Sequence, residues 1–131
     1  MTSAASILEP ASNPVIYVTA VLTLYVDLPD TPSRTNTQDQ RQARGWFDRS
    51  VPLSVVETAL LLASLRRMMR PPEAPRLPRI RSLAYFQPVI DELLENPATD
   101  GYLHYLRLKL RSVTDTPGPP KVQKTTFSDD R

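Results

Sequence analysis

Arginine supplies most of the side chains in this sequence that point to a binding chemistry. Between residues 34 and 81 the chain carries ten arginines and four acidic residues, a net charge of +6, although the net charge of the whole chain is only +2. A guanidinium group binds phosphate or carboxylate through two parallel hydrogen bonds. This uneven charge predicts either a surface for a polyanion or an interface with an acidic protein partner.

Two groups of arginines form the core of the candidate site. Arg66, Arg67 and Arg70 are predicted in the last turn of a helix, where each stabilises the helix dipole by about 0.3–1 kcal/mol, which explains one or two of them. The second group, Arg76, Arg79 and Arg81, lies along a proline-rich loop that could follow a phosphate backbone. Two more arginines in the last predicted helix could extend this basic surface. A solvated surface is the alternative. The predicted nucleic-acid-binding residues are Arg66, Arg67, Arg70, Arg76, Arg79, Arg81, Arg107 and Arg111.

The composition argues against an enzyme. The chain has no cysteine, one histidine and three glycines, and it contains neither the G-x-G-x-x-G nor the G-x-x-x-x-G-K-[ST] phosphate-binding motif. The histidine, His104, has no carboxylate near it in the sequence that would orient it for acid–base catalysis. Asp91 and Glu95, one helical turn apart, are typical of a solvated helix face rather than a metal site. We predict no enzymatic activity, no metal site and no cofactor.

Proline positions and apolar spacing predict the elements that carry these arginines. Nearly all prolines flank stretches in which apolar residues recur with helical spacing. The first stretch is rich enough in β-branched residues to permit a strand, and the alternation at 106–111 also permits one, but the leucine spacing there favours a helix. The predicted helices span about 14–28, 37–48, 52–69, 82–95 and 102–113.

Short local signals mark where these helices begin. Asn13 followed by proline is a good N-cap, Thr37 with Gln40 three positions later predicts a capping box, and Ser82 is the predicted cap of the fourth helix. Pro88 is expected either to kink the fourth helix or to mark a late start.

The predicted fold class is all-α. About five helices would form a small bundle, a single helical domain over residues 13–113, with a Pro/Arg-rich loop at 70–79. The composition of residues 1–12 and of the C-terminal tail, 114–131, predicts disorder at both ends.

The second and third helices have the proportions of a helix-turn-helix unit. A helix that reads bases exposes polar residues, whereas the third helix is apolar on nearly every side at 59–63 and is the predicted central buried helix. Sequence-specific reading of the major groove is therefore not expected. Trp46 and Phe47 are predicted core residues rather than a base-stacking pair.

The sequence predicts a cytoplasmic protein with no membrane partner. No stretch reaches the roughly 18–20 apolar residues that span a bilayer. The longest apolar candidate is Val15–Val26. A signal peptide would have a lysine or arginine before its apolar segment, and none precedes this one. The absence of cysteine fits a reducing compartment.

Two stretches, 46–60 and 82–90, resemble the C-terminal domain of bacterial DnaD-type replication initiation and primosome proteins. In that family a short helix, a turn and a long helix precede a Tyr-x-x-x-Ile helix that contributes to DNA binding. The tryptophan that usually follows this motif is absent, with Leu93-Leu94 nearby instead. The chain also resembles uncharacterised small bacterial proteins, a likeness that supplies no function. The DnaD resemblance implies DNA binding with little sequence preference, as an accessory to a helicase, recombinase or mobile-element machine.

The combined prediction is a non-catalytic nucleic-acid-binding accessory protein that contacts DNA or RNA through phosphates. The alternative is a protein–protein interaction subunit or adaptor of a larger complex, in which the arginines meet an acidic partner. Its motivating feature is the low charge of residues 10–26, since a half-exposed apolar helix is a natural interface.

Overall fold

The computed structural model describes residues 13–114, and within that range all regular secondary structure is helical. The predicted all-α fold with about five helices is confirmed. Its α-helices are α1 (Pro14–Val26), α2 (Thr37–Asp48), α3 (Leu53–Met68), α4 (Gln87–Glu95) and α5 (Tyr102–Thr114), with a 3₁₀ helix (Leu83–Phe86) directly before α4. The predicted disordered segments, 1–12 and all but the first residue of 114–131, lie outside the described residues. Thr114, predicted as tail, ends α5.

Helix α1 begins at the predicted cap. The Asn13 side chain accepts hydrogen bonds from the backbone N–H groups of Val15 and Ile16, which lack partners inside the helix. The segment is thus a helix and not the alternative strand. It buries Tyr17, Val21 and Tyr25, which are four residues apart and so share one face.

The cap of α2 differs from the predicted one. The first helical hydrogen bond, from Gln40 N–H, reaches the carbonyl of Asn36, so Asn36 and not Thr37 is the N-cap. Its side chain accepts from Asp39 N–H at 2.9 Å, and the Asp39 carboxylate accepts from Asn36 N–H at 3.2 Å. The capping box therefore uses Asp39 rather than Gln40. Asp39 is buried and also accepts the N–H of Leu83 at 3.0 Å.

Helix α3 is the centre of the fold, as predicted. It packs against α1, α4 and α5, and half of its sixteen residues are buried. Trp46, at the end of α2, is fully buried, and Phe47 packs partly buried against the same core, which confirms the prediction for this pair. The Trp46 indole N–H donates to the Gln87 side chain at 2.7 Å.

Helix α3 ends at Met68, so the prediction that Arg70 belongs to its last turn is wrong. Arg66 and Arg67 do occupy that turn. The backbone N–H of Met69 closes the helix on Leu65. Arg70 follows the helix end and belongs to the next loop.

Pro88 explains why the fourth predicted helix has two parts. Without an N–H group it cannot bond to the Ala84 carbonyl, and its ring would collide with that group in a continuous α-helix. Residues 83–86 form the 3₁₀ helix instead, and α4 starts late with Pro88 in its first turn. Ser82 is the N-cap of the 3₁₀ helix, as predicted for the start of the fourth element, but its side chain makes no capping hydrogen bond.

Helix α5 follows the leucine spacing and not the alternation. Leu106 is buried, and Leu103, Leu110 and Val113 pack partly buried against the core, whereas Leu108 on the opposite face is half exposed. Within residues 13–114, no helix combines the length and the apolar character needed to cross a membrane.

Two buried tyrosines provide a matched test of the core. The Tyr17 hydroxyl donates to the Val51 carbonyl at 2.7 Å, whereas the Tyr25 hydroxyl has no partner among the described residues. Burial raises the pKa of both to about 12. We expect Tyr17→Phe to lower the free energy of unfolding by about 1–2 kcal/mol and Tyr25→Phe to leave it unchanged or raise it, measured by urea denaturation. Equal losses would contradict this account.

Asp39 provides the second test. Asp39→Ala removes the capping box and leaves the N–H groups of Asn36 and Leu83 without acceptors, so we expect a loss of about 2–3 kcal/mol in the free energy of unfolding. The control is Asp48→Ala on the same helix, an exposed carboxylate paired with Arg44, for which the expected loss is below about 0.5 kcal/mol. If Asp39→Ala lowers the free energy of unfolding no more than Asp48→Ala does, the buried carboxylate does not hold the start of α2 and the 3₁₀ helix together.

Candidate nucleic-acid interface

The arginine loop, residues 70–81, connects α3 to the 3₁₀ helix and contains four prolines. Near its start, Ala74 N–H bonds to the Pro71 carbonyl at 3.0 Å and closes a turn. Near its end, Ile80 is buried and its N–H donates to the Asp30 carbonyl at 2.9 Å. The loop is thus attached to the turn between α1 and α2, although it has no regular secondary structure.

Arg67 holds the loop from the side of α3. Its side chain is only 9% exposed, and its guanidinium donates to the Pro78 carbonyl at 2.9 Å and to the Tyr85 hydroxyl at 3.1 Å. It also lies 3.5 Å from the Asp30 carboxylate and 5.4 Å from the centre of the Tyr85 ring, within cation–π range. Because its donors are directed at the protein, Arg67 positions the loop and is not a free phosphate ligand.

Arg70 also bonds within the loop, since its guanidinium donates to the Pro75 carbonyl at 2.8 Å. The side chain remains exposed. It therefore supports the loop while leaving most of its donors open to solvent.

Two other predicted residues are engaged in bidentate ion pairs. Arg66 donates to both oxygens of Glu92 at 3.0 and 2.7 Å, and Arg107 donates to both oxygens of Glu57 at 2.8 and 2.7 Å. The hydrogen bonds raise the pKa of both guanidinium groups and lower the pKa of Glu92. A phosphate would have to displace a carboxylate at either position.

The remaining predicted residues are exposed and have no hydrogen-bond or ion-pair partner within residues 13–114. They are Arg76, Arg79 and Arg81 on the loop and Arg111 in the last turn of α5. Arg34, which sequence reasoning did not single out, is equally exposed and lies beside Arg79 and Arg81. Its only signal in the sequence was its place in the basic stretch, directly after the proline turn at 28–32.

Two hollows flank the arginine loop. The arginine cleft lies between the loop and the end of α3 and has a volume of about 470 Å³; its charged lining is Arg67, Arg70, Arg76, Arg79 and Asp30. The outer groove is a shallower hollow between residues 32–34 and 78–81, and its charged lining is Arg34, Arg79 and Arg81. Both hollows thus carry an excess of positive charge, and Arg79 belongs to both.

Arg107 and Arg111 are not brought to the loop. Neither lines the arginine cleft or the outer groove. The partner of Arg107, Glu57, is ten positions before Arg67, which is about 15 Å along α3. His104 is exposed on the same helix, and among residues 13–114 no group of three or more His, Cys, Asp or Glu side chains has the arrangement to hold a metal ion.

No family model matches the chain, and neither the curated proteins nor the solved structures gave a match. The resemblance to the DnaD-type domain therefore stays a prediction.

Arg67 is expected to determine both the stability and the order of the loop. Arg67→Ala removes the bonds to Pro78 and Tyr85, so we expect a loss of about 2–3 kcal/mol in the free energy of unfolding. Trypsin should also cleave after Arg76 and Arg79 faster than in the wild type. The control is Arg66→Ala, whose exposed ion pair contributes less than about 1 kcal/mol. Unchanged cleavage in the Arg67 variant would contradict the positioning role.

Proposed function

We propose that this protein is a non-catalytic nucleic-acid-binding accessory protein. The single observation that carries the proposal is a set of exposed arginines that have no partner within residues 13–114, three on the attached loop and one in the connection between α1 and α2. We call this set the arginine surface: Arg34, Arg76, Arg79 and Arg81.

The partner-free state of these side chains favours a polyanion over simple solvation. The other arginines at the end of α3 use their donors on carbonyls or carboxylates, so the fold does supply acceptors nearby. The arginine surface carries four positive charges, and the carboxylates closest to it along the chain are Asp30 and Glu73. Such a concentration of one sign of charge attracts phosphates and speeds their association.

The attachment of the loop also supports binding. When a ligand has to order a flexible loop, the lost conformational entropy of the loop weakens binding. A loop that is already fixed in place avoids most of this entropy cost. Here the four prolines and the hydrogen bonds at Ile80 and Pro78 limit the loop before any ligand arrives.

The burial of α3 favours contact with the phosphate backbone and not with base edges. Direct base reading needs side chains that enter a groove. Half of α3 is buried, and its exposed arginine, Arg66, is paired with Glu92. Binding with little sequence preference is what this arrangement supports, and the resemblance of 46–60 and 82–90 to the DnaD-type domain implies the same.

A protein-binding role is the second candidate. Exposed apolar side chains lie beside the arginines, Met69 at 60% and Leu77 at 39% exposure. An acidic protein segment with apolar residues would find both kinds of contact there. The apolar helix α1 supports this role less, because its tyrosines and Val21 are buried in this chain's own core.

The test measures binding of labelled single- and double-stranded oligonucleotides by fluorescence anisotropy over a range of salt. We expect the affinity to fall steeply with salt, because each phosphate that an arginine neutralises releases counterions. The double variant Arg79→Ala/Arg81→Ala should lower the salt slope by about 0.7–0.9 for each phosphate that is no longer neutralised.

Arg41→Ala is the matched control, since Arg41 is exposed on α2 and also has no partner within residues 13–114. Its affinity should stay within about twofold of the wild type. Absence of binding at about 50 mM salt would overturn the proposal. Equal losses of affinity in the control and the double variant would do the same, because the attraction would then be general and not localised on the loop.

A further inference from the structure

The arginine cleft has the size and lining of a site for a small organic ligand. Its volume of about 470 Å³ falls in the range of about 300–1,000 Å³ that such sites occupy. It is bounded by the last two turns of α3 on one side and by the arginine loop on the other. Because Arg67 and Ile80 attach the loop at its far end, the cleft exists without a ligand.

Ser64 gives the cleft an unused hydrogen-bonding group. The residue lines the cleft and is 2% exposed, and its hydroxyl has no partner among the described residues. Buried polar atoms in native proteins almost always have a partner. Ser64 thus brings a buried, partner-free hydroxyl to the wall of the cleft, and a ligand group that reaches this hydroxyl would complete its hydrogen bonding.

The charged lining selects an anion. Four guanidinium groups face one carboxylate, that of Asp30, which is itself close to Arg67. Arg67 is committed to the protein, which leaves Arg70, Arg76 and Arg79 for the ligand. Their planar forks match the oxygens of a phosphate.

The apolar lining requires more of the ligand than a phosphate group. Met68 and Leu77 line the cleft together with several prolines. A flat ring packs well against such side chains, whereas an inorganic ion would make no apolar contact with them. The exposed carboxylate of Asp30 can accept hydrogen bonds from sugar hydroxyl groups.

We propose that the arginine cleft binds a single nucleotide unit, with its phosphate on Arg70, Arg76 and Arg79 and its base against Met68 and Leu77. The inference rests on the proposed function, since it identifies which part of a nucleic acid this end of the protein receives. The same chemistry is offered by a free nucleotide and by the phosphorylated end of a strand.

Calorimetric titration of the full chain with ADP, adenosine and inorganic phosphate tests the cleft directly. We expect ADP to bind saturably and at least about tenfold more tightly than either fragment, because only ADP meets both linings. A second arm compares single strands with and without a 5′-phosphate. A preference for the phosphorylated strand identifies strand ends as a source, and equal binding of the two identifies the free nucleotide.

Three variants locate the binding. Arg76→Ala, at a residue that lines the cleft and not the outer groove, should weaken ADP binding by about tenfold, the effect of a charge-assisted hydrogen bond. Arg81→Ala is the matched control, because Arg81 is on the same loop and equally exposed but lines only the outer groove. Ser64→Ala should weaken ADP binding by about fivefold without lowering the melting temperature, since the wild-type hydroxyl makes no internal bond.

Failure of this inference differs from failure of the proposed function. Oligonucleotide binding without saturable ADP binding overturns the cleft assignment and leaves the arginine surface in place. ADP binding that weakens equally in the Arg76 and Arg81 variants also overturns it. ADP binding that depends on Arg76 and Ser64, with no oligonucleotide binding, upholds the cleft and overturns the proposed function.

Discussion

The guanidinium group of Arg67 is the interaction on which the candidate site depends. A charged group that is nearly buried must have its donors satisfied, and the acceptors that meet this need come from three separate segments: the Asp30 turn, the Pro78 carbonyl and the Tyr85 hydroxyl. One side chain thus joins the end of α3, the arginine loop and the 3₁₀ helix. The loop cannot leave α3 without exposing a polar group that is now paired, which is why a segment without regular structure has a defined position.

This constraint divides the arginines by role. Two arginines on helices meet carboxylates on neighbouring helices, because helix packing brings Glu92 to Arg66 and Glu57 to Arg107. Those on the loop have prolines as neighbours, and proline offers a carbonyl but neither an N–H nor a charge. The charge of the loop consequently faces outward, while the charges of Arg66 and Arg107 are neutralised within the fold.

The order and type of the helices could be predicted because the deciding forces are local. Proline fixes where a helix can begin or end, and the leucines of α5 outweigh the alternation that suggests a strand. The errors arose where a distant group decided the outcome. Asp39 completes the capping box of α2 and also accepts the N–H of Leu83, 44 residues away. The partners of Arg66 and Arg107 lie 26 and 50 residues away. Charge counts along a sequence cannot separate paired arginines from free ones, and for the same reason Arg34 was missed.

The position of Ser64 follows from the double use of α3. As the central helix it buries half of its residues in the core, and its last turns also form one wall of the arginine cleft. Ser64 lines this wall, and its buried hydroxyl has no partner among the described residues. A buried group of this kind lowers stability unless something else binds it. A ligand that bonded to the Ser64 hydroxyl, as proposed for the arginine cleft, would remove this cost.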